Sequence, residues 1–159
     1  VIRSARHEFT HAIIHAMSDG QCPGWLDEGL AQLSEGEENP ALRAAFKRWL
    51  TKNEPVPLVL LKGGFTKLKT NMVAAAYAQS LVYSQHVLDN HGYKQVAQFF
   101  SNLKSGFSKD YAFEDAFGET IGEFEENMGA SYRELPANLE QINASSVMAS
   151  AKTVKRTVR

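Results

Sequence analysis

His7, Glu8 and His11 form the pattern H-E-x-x-H near the start of the chain. On a helix, residues four apart lie one turn apart on the same face, so both imidazoles can bind one cation from one side. Zinc takes imidazole nitrogens at about 2.0 to 2.1 Å and lowers the pKa of a bound water to about 7. Glu8 can accept the proton of that water as it attacks a carbonyl carbon. The pattern therefore predicts a zinc site with Glu8 as general base, which is the chemistry of peptide hydrolysis.

A third protein ligand is required at such a site, and Glu28 is the candidate. A first helix is expected from about Ile2 to Met17, and the turn-forming residues between positions 18 and 24 then break it and reverse the chain. A second helix would begin near Trp25. Its first turns would return opposite the two histidines.

Two stretches of the sequence resemble the gluzincin metallopeptidases, in which H-E-x-x-H is followed by a glutamate ligand on the next helix. Residues 25–31 read W-L-D-E-G-L-A, similar to the W-L-x-E-G-x-A of aminopeptidase-type members. The closest similarity is to the bacterial peptidase MA-like domains, and it spans about residues 5–135. Y-A-Q-S from Tyr77, H-G-Y from His91 and F-G-E-T from Phe117 resemble the C-terminal half of such a domain.

The resemblance implies one Zn²⁺ per chain, bound by His7, His11 and Glu28, with a water in the fourth position and peptides or proteins as substrates. In related peptidases a tyrosine on a later helix donates a hydrogen bond to the oxyanion, and Tyr77 matches it. The alternative role for Tyr77 is packing on the apolar stripe of its helix, and Tyr83, off that stripe, is the less suitable donor. The compartment stays undetermined, although the resemblance favours a bacterial cell envelope or periplasm.

Other residues compete as ligands. His15 continues the i, i+4, i+8 line, but it is rotated by about 80° from the first histidine, which would strain three-point binding from one helix. It is more naturally a buried histidine or one that supports a ligand. The metzincin pattern is excluded, because it needs a histidine at position 17, which is methionine. Asp19 lies in a Ser-Asp-Gly turn, and Asp27 is expected to point elsewhere and to complement the helix dipole.

Gln32 and Glu35 follow the proposed third ligand on the second helix. Related enzymes often place an acidic residue one turn after the glutamate ligand, where it orients a metal-bound histidine. That position holds the amide of Gln32, which departs from this pattern. Glu35 is the other candidate, but together with Glu37 and Glu38 it looks more like a solvated helix end.

Length and composition predict one compact domain. The chain has 159 residues, 43% of them hydrophobic, and a formal net charge of -1, so neither nucleic acid nor an acidic membrane is an expected partner. No apolar run approaches the roughly 20 residues of a membrane span. The single cysteine, Cys22, cannot form an internal disulfide and is expected to be an apolar filler.

The predicted fold class is mainly α, the helical active-site half of a zincin catalytic domain. Gluzincins place a small β-sheet before the active-site helix, and this chain supplies no counterpart and begins without methionine, so we interpret it as a fragment. Beyond the first two helices and a loop over about 51–70, the expected helices are Ala41–Leu50, Asn71–Asn90, Tyr93–Leu103, Asp110–Phe117 and Thr120–Glu134.

Residues 1–135 are expected to form the peptidase MA-like domain, and residues 136–159 a flexible basic tail. Without the upstream sheet, an apolar face is expected to be exposed and to allow self-association; its residues would be Val1, Ile2 and Ile13 or Ile14.

The alternative function is a non-catalytic, zinc-binding domain that serves as a protein-interaction scaffold. A helical scaffold without metal is a third interpretation. The presence of Glu8 favours the enzyme, because a structural zinc site has no use for a proton acceptor.

Overall fold

Helices account for most of the residues that the structure describes. The computed structural model describes residues 2–36 and 40–132, with side chains from residue 4 onward, and no strand lies among them. The predicted mainly α fold is therefore confirmed. The chain divides into the units Val1–Glu125 and Glu126–Arg159, and the described part of the second unit is helical. The predicted tail over 136–159 lies outside the described residues, as do Val1, Glu37 and Glu38.

Within the described residues, the first unit contains five α-helices, and a long connection over residues 51–69 separates the third from the fourth. Their bounds are α1 Ile2–Ser18, α2 Gly24–Ser34, α3 Pro40–Leu50, α4 Thr70–Lys104 and α5 Lys109–Phe117. Residues 121–132 are also helical. Two 3₁₀ turns, Leu58–Leu61 and Phe65–Lys67, lie in the loop between α3 and α4. No helix in this described part is both long and apolar enough to cross a membrane.

The chain reverses between α1 and α2 at residues with left-handed backbone. Asp19 has φ 52° and Gly20 has φ 68°, and the Gly20 N–H donates to the carbonyl of His15 at 2.9 Å. An aspartate and a glycine are the residue types that adopt this conformation most readily. The turn brings α2 back against α1, as the sequence predicted.

Gly92 divides α4 into two helical halves. Its backbone, with φ 75° and ψ 172°, is not helical, and only glycine adopts this conformation without strain. The predicted helix end at this position is confirmed. The two halves of α4 are therefore separate helical segments, and Tyr77 lies on the first of them.

Aromatic rings fill the core beside the start of α2. The buried indole of Trp25 stacks on Phe124, with 5.6 Å between ring centroids and 19° between planes. Tyr83 on α4 is also buried and meets both rings edge-on, at 6.4 Å and 5.7 Å. Phe46 and Phe113 complete this cluster. Stacked and edge-on pairs of this kind fix the position of the first turn of α2.

Helices α2 and α4 cross in close contact at Gly29. A Cβ atom built on Gly29 would lie 2.1 Å from Ser84 Oγ and 2.2 Å from the carbonyl oxygen of Ser80. No larger residue fits at this crossing without a shift of the helix backbones. The crossing thus fixes the position of Glu28, the neighbour of Gly29, along the axis of α4.

One side of α1 carries exposed apolar side chains. Phe9 is 67% exposed and Ile13 is 41% exposed, whereas Ile14 is only 3% exposed. Of the two alternatives predicted for this face, Ile13 is therefore the exposed one. Ile14 follows His7 by two helical turns and so lies on the face that packs against α2. The side chains of Val1 and Ile2 lie outside the described residues.

We expect Gly29→Ala to lower the free energy of unfolding by roughly 1–3 kcal/mol, because the added methyl group overpacks a backbone contact. The matched control is Gly122→Ala, in the helical residues 121–132, where the nearest atom to a built Cβ is Thr120 Oγ1 at 3.9 Å. The control should gain about 0.5–1 kcal/mol from helix propensity. Urea unfolding at equilibrium measures both changes, and a Gly29→Ala protein as stable as its parent would contradict the proposed tight crossing.

Candidate metal centre

His7 and His11 present their imidazoles side by side on α1. Their ring centroids lie 4.7 Å apart at an interplanar angle of 77°. Glu28 on α2 faces both rings, with its Oε1 3.5 Å from His7 Nε2 and its Oε2 3.8 Å from His11 Nε2. One donor atom from each of the three residues lies within 4.8 Å of the other two. The helix spacing on α1 and the return of α2 therefore bring together the three predicted ligands.

Each histidine is also held through its other ring nitrogen. Glu35 Oε1 lies 3.0 Å from His7 Nδ1, and Asp27 Oδ1 lies 2.9 Å from His11 Nδ1. An ionised carboxylate accepts hydrogen bonds and donates none, so it favours the histidine tautomer with its hydrogen on Nδ1. The lone pair of each Nε2 is then free and directed toward Glu28. Carboxylate partners of this kind orient histidine ligands at metal sites.

The local charge balance fits a divalent cation. Burial raises the pKa of the Glu28 carboxyl; His7 and His11 oppose this rise, while Asp27 and Glu35 add to it. A carboxylate that is desolvated beside two other carboxylates is stabilised by a cation within its reach. Two imidazoles and one carboxylate are the protein ligands of many catalytic zinc sites, which keep a further coordination position open. The donor set therefore fits Zn²⁺.

Glu8 lies beside the donor group without belonging to it. Its side chain is exposed, and it is absent from the set of converging donor atoms. At about 100° per residue along a helix, Glu8 points to the flank of the line through His7 and His11. This places a carboxylate next to the two imidazoles on a side that solvent can reach.

Tyr77 lies on α4, close to the carboxylate of Glu28. Burial raises the pKa of the Tyr77 phenol, and the charge of Glu28 raises it further. The Gln32 side-chain amide donates to the backbone carbonyl of Tyr77 at 3.1 Å and to that of Glu28 at 3.3 Å. Gln32, which the sequence left without a role, thus links the backbones of α2 and α4. Tyr83 is buried in the aromatic core and is not accessible to a substrate.

The structure corrects the expectations for two acidic residues. Glu35 is not a solvated helix end, and Asp27 does more than complement the dipole of α2, since each bonds one histidine. The sequence contained a signal for Glu35, because it follows Glu28 by seven residues and so lies on the same face two turns later. His15 is exposed beside Gly20 and is not in the donor group, and Asp19 occupies the predicted turn.

The sequence was compared with protein-family models, curated proteins and solved structures. A family model described as the Peptidase MA superfamily matches residues 2–133. No curated protein and no solved structure matches the chain. The matched region covers most of the chain and contains every residue of the donor group described above. The chain therefore belongs to the peptidase MA superfamily.

Proposed function

We propose that the protein is a zinc-dependent peptidase of the gluzincin type, in which His7, His11 and Glu28 hold the ion. At the superfamily level the chain is a peptidase-like domain, which implies peptides or proteins as substrates. The observation that carries the proposal is the convergence of both Nε2 atoms on the two Glu28 oxygens, while both Nδ1 atoms contact carboxylates. The subtype, the metal and the mechanism are the new parts of the proposal.

The proposed mechanism assigns proton transfer to Glu8 and oxyanion stabilisation to Tyr77. A zinc ion held by His7, His11 and Glu28 would supply a water of lowered pKa and a Lewis acid for the scissile carbonyl. Glu8 accepts a proton from the attacking water and returns it to the leaving amine. The phenol of Tyr77 donates a hydrogen bond to the oxygen on which negative charge develops. A phenol with its ordinary pKa of about 10 is protonated, and therefore a donor, at neutral pH.

We expect Glu8→Gln and Glu28→Ala to separate catalysis from metal binding. Glu8→Gln keeps the shape of the side chain and removes the proton acceptor, so kcat should fall by roughly 10²- to 10⁴-fold while zinc stays near one per chain. Glu28→Ala removes a ligand and should lose the zinc, because three protein ligands are usual at catalytic sites. Metal analysis of purified protein and turnover of a peptide library measure the two effects. Full turnover by Glu8→Gln would disprove the mechanism; zinc binding without turnover by the unsubstituted protein would favour a partner-binding scaffold.

We expect Tyr77→Phe to reduce kcat by roughly 10²-fold, by analogy with the deletion of single oxyanion donors. The ring remains, so the thermal midpoint should hardly change. The matched control is Tyr83→Phe, which removes a buried hydroxyl away from the substrate. It should leave kcat unaltered. If the two variants affect kcat equally, Tyr77 is a packing residue.

We expect Glu35→Leu to weaken zinc binding by roughly 10- to 100-fold, because the Nδ1 hydrogen of His7 loses its acceptor. Glu35→Gln retains a carbonyl oxygen that can accept this hydrogen, so its loss of affinity should be smaller. Competition with a chromophoric chelator measures both dissociation constants. The control is Glu114→Gln, an exposed carboxylate on α5. Equal zinc affinity in Glu35→Leu and the parent would show that the contact with His7 does not support the site.

A further inference from the structure

The loop over residues 55–69, which we call the strap, is fixed to α4 by a buried amide. Gln79 is 0% exposed. Its Oε1 accepts from the Val56 N–H at 2.7 Å, and its Nε2 donates to the Val56 carbonyl at 2.8 Å. One side chain thereby satisfies both backbone groups of a buried strap residue, as a paired strand would. Loss of this amide would leave two buried polar groups without partners.

Two further hydrogen bonds fix the strap along its length. The Leu58 N–H donates to Glu125 Oε1 at 2.7 Å, and the Gly24 N–H donates to the Lys62 carbonyl at 2.9 Å. The second contact is close, because a Cβ on Gly24 would lie 2.4 Å from the carbonyl oxygen of Gly63. The strap is therefore anchored both to the start of α2 and to α4, the two helices that carry Glu28 and Tyr77.

Phe65, near the end of the strap, contacts the side chain of Tyr77. Phe65 is buried, and its ring meets that of Tyr77 edge-on, with 5.0 Å between centroids. Tyr77 itself is only partly buried, so its side chain needs a neighbour to limit its swing about χ1, the torsion that moves the hydroxyl. Gln32 fixes the backbone of Tyr77, and Phe65 contacts the side chain.

We propose that Phe65 is a positioning residue for the Tyr77 phenol, and that the strap anchored by Gln79 holds Phe65 in place. The inference rests on the proposed function, which gives the Tyr77 hydroxyl its task. An oxyanion donor must lie within about 2.7–3.1 Å of the developing charge, and a displacement of about 1 Å can cost roughly 10²-fold in rate. A swing of the side chain about χ1 would carry the hydroxyl outside this range. The edge-on contact with Phe65 restricts that swing.

A double-mutant cycle on the full-length, zinc-loaded protein tests the inference. Phe65→Leu keeps an apolar side chain and removes the ring, and it should lower kcat by roughly 10-fold or more with KM nearly unchanged. In the Tyr77→Phe background, where no hydroxyl remains to be positioned, the same substitution should change kcat by less than roughly 2-fold. If Phe65→Leu lowers kcat by the same factor in both backgrounds, the inference is overturned. No change of kcat on Phe65→Leu in the parent, with Tyr77→Phe impaired, would also overturn it.

Phe100→Leu is the matched control, since this buried phenylalanine on α4 has its ring contact with Phe99 and none with Tyr77. It should lose stability without loss of kcat. If Phe100→Leu reduces kcat as much as Phe65→Leu, the effect is general loosening of the core, and the positioning role is rejected. The control thereby separates a specific contact from reduced stability.

Nuclear magnetic resonance of ¹³C-labelled tyrosine rings provides a readout that does not depend on activity. The Tyr77 signal is identified by its loss in Tyr77→Phe. Gln79→Leu, which touches the strap at Val56, should shift or broaden this signal, whereas Phe100→Leu should leave it unchanged. An unperturbed Tyr77 signal in a folded Gln79→Leu protein would overturn the role of the anchor. If Tyr77→Phe retains full kcat, the proposed oxyanion role fails, and this spectrum still decides whether the strap orients the ring.

Discussion

The close crossing of α2 over α4 is the constraint on which the site depends. Gly29 leaves no room for a side chain against Ser84, so the backbone of α2 lies directly against α4 at this residue. Glu28 precedes Gly29 by one residue, and Gln32 follows it by three. The crossing therefore determines where the carboxylate lies and which backbone carbonyl of α4 the Gln32 amide reaches, which is that of Tyr77. One contact without a side chain thus aligns two functional groups that are distant in sequence.

The first turns of α2 combine packing and chemistry within a few residues. Trp25 and Leu26 are buried in the core, whereas Asp27 and Glu28 face the histidines. Because one turn of helix carries both sets, the aromatic core orients the acidic residues directly. Such a supporting arrangement keeps functional groups within the narrow geometric limits that catalysis requires. It also explains why a partly buried group of carboxylates is compatible with a stable fold: the rigid core holds them together despite their mutual repulsion.

The sequence predicted the helices and the three converging residues, because both depend on local periodicity. The spacing of His7 and His11 and the turn before α2 were sufficient to place Glu28 near them. The partners of the histidines were not predicted, since the choice of Asp27 for one ring depends on how α2 is rotated against α1. The contact between Phe65 and the Tyr77 ring was equally inaccessible. It joins a loop without periodicity to a helix, and only the folded anchors of that loop create it.

The chemical nature of the converging donors has a consequence for redox sensitivity. Within the described residues the donor group consists of imidazoles and a carboxylate, and contains no thiol. Cys22 lies near the start of α2, where burial raises the pKa of its thiol well above the usual range, and its Sγ donates to the Pro23 carbonyl at 3.6 Å. Oxidants act chiefly on exposed thiolates. A donor group of imidazoles and a carboxylate therefore gives thiol oxidants no ligand to modify, unlike one that contains cysteine.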